Sequence, residues 1–69
     1  MTAEQRERAF ALAEELITIY TKSTVVHTTL GRVIQADNYE ECEKRSREAL
    51  VITQQFFDKL TELTDFFIE

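Results

Sequence analysis

Asp37, Glu40, Glu41 and Glu43 are the densest group of chemically capable side chains in this chain of 69 residues, and hard oxygen ligands are what a calcium or magnesium site needs. Their surroundings argue for a plainer role. No glycine-containing calcium loop encloses them, and carboxylates in the first turn of a helix are favoured by its macrodipole. Lys44, Arg45 and Arg47 follow at once and resemble a basic patch until their partners are counted. Glu40 precedes Lys44, Glu41 precedes Arg45 and Glu43 precedes Arg47 by four residues, the favourable order on a helix surface. The expectation is a solvated, self-neutralised face that holds no metal.

His27 and Cys42 are the only histidine and the only cysteine. An imidazole can be a catalytic base, a metal ligand or a pH switch, but catalysis needs an activated nucleophile or a second positioned acid. Val25, Val26, Thr28 and Thr29 surround His27, with no carboxylate at helical spacing. Cys42 lies between Glu41 and Glu43, which oppose a thiolate, and reads as a small packed residue. One cysteine excludes an intrachain disulfide and leaves a Cys/His zinc site short of ligands. Phosphate-binding glycine loops and nucleophile motifs are absent. The chain is expected to be no enzyme and to carry no cofactor.

The elements that must position these residues are two helices. Thr2 followed by Gln5 is a capping box, so the first helix is expected over about 3–36. Ala9, Leu12, Leu16, Ile19, Ser23, Val26, Leu30 and Val33 step by three and four, a heptad seam with one polar member. A second seam runs beside it through Phe10, Ala13, Ile17, Tyr20, Thr24, His27 and Ile34, making a face broader than one helical partner covers. The run from Ile17 to Ile34 is rich in β-branched residues that favour strands, yet no turn signal precedes Gly31 and a lone strand has nothing to pair with. Helix is the reading kept, with Thr21–Thr29 the place for a kink or break. Gly31 either sits inside the helix, allowing another helix close approach, or ends it early.

Asp37 and Asn38 form the only strong turn signal, and the second helix is expected over about 39–67. It carries Tyr39, Cys42, Ser46, Ala49, Thr53, Phe56, Leu60, Leu63 and Phe67 at heptad spacing, flanked by Leu50, Ile52, Phe57 and Phe66. The fold class expected is all-α: one antiparallel, coiled-coil-like helical hairpin spanning 1–69. In that arrangement Leu63, Phe66 and Phe67 fall opposite the polar opening turns, Arg6 to Leu12, and exceed what their own chain can bury.

A single core of this size supplies only about 3–5 kcal/mol of net stability, so a second subunit or a partner chain is expected to complete it. Leu63, Phe66, Phe67, Phe10, Ile17, Tyr20 and His27 are the residues expected to meet that partner. The net charge of −5 arises wholly in the second half, where nine acids face four bases; Met1–Ala36 is balanced, four against four. Nucleic acid is therefore a poor partner, because affinity for phosphates comes from Lys and Arg. No run approaches the roughly 20 apolar residues of a membrane span, and Met1–Arg8 is too polar for a signal peptide. A soluble, cytoplasmic protein is expected.

Two helices, the position of the turn, and Asn38-Tyr39-Glu40-Glu41 opening a second helix with an apolar C-terminal half give the chain a resemblance in outline. It resembles the small two-helix co-chaperones of bacterial type III secretion needle subunits. The resemblance implies an interaction module that shields a partner's apolar surface, and transfers no functional residue. Two other readings compete. Asp58, Glu62, Asp65 and Glu69 form an acidic stripe such as a nucleic-acid mimic would use to block a DNA- or RNA-binding protein, although its charges are sparser than those of duplex DNA. The third is a regulatory homodimer with no separate client.

Overall fold

A computed structural model describes residues 1–68 and contains two helices, α1 (Ala3–Gln35) and α2 (Tyr39–Asp65), packed as an antiparallel hairpin. The N-terminus of α1 is held by the capping box: Gln5 N–H donates to Thr2 Oγ1 at 3.1 Å, and Thr2 N–H donates to Gln5 Oε1 at 2.7 Å. Its C-terminus is a Schellman motif. Asp37 N–H donates to the Ile34 carbonyl at 3.1 Å and Asn38 N–H to the Val33 carbonyl at 3.2 Å, with Asp37 in the left-handed region at φ 57°. Asn38 then caps α2, its side chain accepting from Glu41 N–H at 3.3 Å. Helix 2 gives way to tighter three-residue bonds at Phe66 and Phe67, two residues earlier than the expected end.

α1 runs unbroken through the threonine-rich stretch, where a kink or break was expected. Thr18, Thr21, Thr24 and Thr28 each donate a hydroxyl hydrogen bond to the carbonyl four residues back, at 3.2, 2.9, 3.1 and 2.8 Å. Their polar groups are thereby satisfied inside the helix rather than competing with it. Gly31 lies within the helix and has no positive φ. A Cβ built there would meet nothing within 4 Å, so the hairpin's own packing does not require this glycine, which costs a helix interior about 1 kcal/mol relative to alanine.

The first seam of α1 is the one that packs against α2. Leu12 and Leu16 are buried, while Ala9, Ile19, Ser23, Val26, Leu30 and Val33 are half-buried. In α2 the register differs from the expected one by one ridge. Cys42, Ala49, Phe56 and Leu63 do face α1, but their companions are Arg45, Ile52, Lys59 and Phe66 rather than Ser46, Leu60 and Phe67. The physical reason is visible at Lys59 and Arg45. Each lays a long aliphatic stem along the seam and carries its charge to a carboxylate at the edge: Lys59 Nζ stands 3.1 Å from Glu15 Oε2 and from Glu62 Oε2, and Arg45 donates to both Glu48 oxygens at 2.9 and 3.0 Å. Among the described residues Leu12, Leu16 and Ala49 are the buried apolar ones, and Leu12 alone has a fully buried large side chain.

Candidate interaction surface

A two-helix hairpin is a ribbon with two broad faces, and this one has sorted its side chains between them. On one face the helices are tied by ions. Arg8 reaches Glu62 at 3.8 Å and Lys59 reaches Glu15 at 3.1 Å. The helical repeat places Phe10, Ile17, Tyr20, His27 and Ile34 on the other face of α1, about 100° round from the buried seam. Antiparallel packing brings Tyr39, Leu50, Phe57, Leu60 and Phe67 to that same face of α2. Leu16, Ile17, Tyr20 and Phe56 line one apolar groove where the two helices meet on this side.

These side chains stand in solvent. Phe10, Ile17 and Tyr20 are 66, 66 and 64% exposed, and Leu50, Phe57 and Phe67 are 60, 60 and 63% exposed. Along Leu50, Thr53, Phe57, Leu60, Thr64 and Phe67 the spacing is again three and four, so α2 has a second seam matching that of α1. Sequence reasoning had divided these residues between the packed seam and its flanks. Their own spacing was the signal that marks them as a separate ridge.

Of the residues expected at a partner contact, Phe10, Ile17, Tyr20 and Phe67 lie on the exposed apolar face together. His27 is exposed on the same side of α1, where Nδ1–H donates to the Ser23 carbonyl at 2.7 Å. Leu63 and Phe66 stand on the ridge that faces α1 and are half-buried there. At this open end Phe66 and Phe67 share a cleft with Met1 and Gln5, so the helix terminus is partly covered by its own chain.

The charged residues have ordinary structural partners. Glu41 pairs with Arg45 at 3.5 Å and Glu43 with Arg47 at 2.6 Å, whereas Glu40 and Lys44 form no ion pair among the described residues. Hydrogen bonds from Lys59 to Glu15 and then Glu62 raise its pKa above the usual lysine value. Among the described residues no group of three or more His, Cys, Asp or Glu side chains is placed to hold a metal ion. In the acidic stripe Glu62 is already engaged by Arg8 and Lys59, and Glu69 lies outside the described residues. No helix among the described residues is long and apolar enough to cross a membrane.

No family model, curated protein or solved structure matches this chain.

Proposed function

We propose that this protein is a non-enzymatic, cytoplasmic interaction module, whose hairpin covers apolar surface on another protein chain. One observation carries the reading. Phe10, Ile17, Tyr20, Leu50, Phe57, Leu60 and Phe67 share one face, while the ion pairs that tie the helices together lie on the other. Monomeric proteins rarely leave contiguous apolar patches beyond a few hundred Å² in water, and larger ones mark contact sites. The resemblance in outline to needle-subunit co-chaperones supports a role in covering apolar surface that would otherwise aggregate.

Replacing Tyr20 and Phe57 together by Ser tests it. Both rings are mostly exposed, so helicity by circular dichroism is expected to survive while association measured by sedimentation is lost. Unchanged association with a lowered melting temperature would assign the rings to the hairpin's own stability and overturn the reading. An apolar contact is nearly indifferent to salt, whereas a nucleic-acid mimic releases its partner as ionic strength rises.

A further inference from the structure

The geometry points to a second copy of this chain as the occupant of the apolar face, stacked end over end so that the two turns lie at opposite ends of a four-helix bundle. This rests on the interaction reading above and names its partner. The surface area supports a partner of this size. The hairpin exposes 5562 Å², whereas a folded monomer of 8.1 kDa is expected to expose about 4,500 Å². The surplus of about 1,000 Å² per chain is close to the roughly 800 Å² each partner gives up in a standard stable interface.

The face is graded along its length, and the gradient selects the arrangement. Near the open end it carries Phe10, Ile17, Phe57, Leu60 and Phe67; near the turn Ile34, Tyr39 and Leu50 are interspersed with the smaller or polar Thr24, His27, Gly31 and Ser46. The contact between Glu15 and Lys59 sets these two residues at one height. Six residues further along α1 and six back along α2, Thr21 and Thr53 therefore share a height as well. A two-fold axis perpendicular to the helices at that level lays α1 on its own copy, antiparallel, and α2 likewise. Phe10 then comes to the level of Gly31 of the other copy, within one residue's rise of about 1.5 Å. Ile17 meets Thr24, Leu60 meets Ser46, Phe57 meets Leu50, and Phe67 meets Tyr39. Large side chains face small ones along most of the contact, which is how packed layers interdigitate.

A two-fold axis parallel to the helices would set the aromatic ends together and bring Gly31 to the level of Glu43 rather than of a ring. The perpendicular axis also accounts for Gly31, which nothing in the hairpin contacts and which here is the seat for Phe10. Glu43, on the ridge of Leu50 and Phe57, is already tied to Arg47 at 2.6 Å.

The experiment is sedimentation equilibrium on the full chain and three variants, followed by cross-linking. The wild type is expected to be a dimer at micromolar concentration. Gly31→Leu, which fills the seat without touching the hairpin's own packing, is expected to weaken the dimer at least tenfold while keeping helicity. Adding Phe10→Ala to Gly31→Leu is expected to recover most of that loss. Cys42→Ser with Thr53→Cys, which puts a thiol beside the axis, is expected to yield a disulfide dimer on mild oxidation. A Gly31→Leu protein that remains as tight a dimer, or a Thr53→Cys protein that does not cross-link, overturns the register. A monomeric wild type that binds a hydrophobic dye, with binding lost in Tyr20→Ser/Phe57→Ser, overturns self-pairing and leaves the face to a foreign chain. A monomer that binds no dye overturns both.

Discussion

The rings of Phe56 and Phe57 meet edge to face, centroids 6.5 Å apart and planes at 78°, yet they belong to different surfaces. Phe56 points at α1 and is half-buried; Phe57 is 60% exposed on the apolar face. Adjacent aromatic residues thus separate folding of the hairpin from its association. Phe56→Ala is expected to destabilise the hairpin by about 1–3 kcal/mol, less than a fully buried ring because part of it is already in water. Phe57→Ala is expected to leave the helical signal intact and weaken association. Melting curves at two protein concentrations check this: the Phe56 variant melts lower at both, and the Phe57 variant loses the dependence on concentration.

The Lys59 contact predicts behaviour in alkali. Its pKa is raised in the folded chain by the hydrogen bonds it donates to Glu15 and Glu62, so the ammonium's contribution is fully present below the unfolded lysine value. It is lost as pH rises through the folded value, which places the window above pH 10.5. Wild-type stability is expected to fall there, and Lys59→Met is expected to remove this component of the fall. Equal alkaline slopes in the two proteins would show that the contact contributes nothing to the pH dependence.

Thr2→Ala removes one half of the capping box and is expected to cost about 1 kcal/mol, while Thr2→Ser restores it. In a domain this small that is a drop of about 4–8 °C in Tm. The same loss in Gln5→Ala, with no further loss in the double variant, would establish that the two side chains act as one unit.

Asp37 occupies a left-handed conformation that glycine adopts without steric cost. Asp37→Gly is expected to be neutral or to stabilise the hairpin by up to about 1 kcal/mol. A destabilised variant, by thermal melt, would mean that the carboxylate itself contributes to the turn.

What could be read from the sequence was what depends on neighbours in the chain. Thr2 with Gln5, the turn at Asp37-Asn38 and the spacing of Leu12, Leu16 and Ile19 each follow from side chains a few residues apart. The register of α2 does not. Cys42, Ala49, Phe56 and Leu63 fit a seam completed by either neighbouring ridge, and pairing with α1 decides between them. Glu15 and Lys59, far apart in sequence, are part of that decision. The apolar face was half legible for the same reason: Phe10, Ile17 and Tyr20 were evident from spacing in α1, whereas the spacing of Leu50 and Phe57 marks a ridge of α2 but not the side on which that ridge lies. Thr21–Thr29 shows the opposite failure, where low helix propensity suggested a kink or break and the helix is continuous, with Ser23, Val26 and Leu30 packed toward α2.

The placement of Leu12 and Leu16 bears on how quickly the chain reaches its fold. A hairpin with a tight turn can close like a zipper, beginning beside the turn where the lost loop entropy is smallest. Here the side chains beside the turn are poor glue: Val33 and Cys42 are half-buried and Ser46 is in water. The buried leucines lie toward the far ends, against a segment that includes Phe56 and Lys59, so a long loop must close before the strongest contacts form. Folding is therefore expected to be slower than the short connection suggests, with a rate set by encounter of the distant ends rather than by formation of the turn.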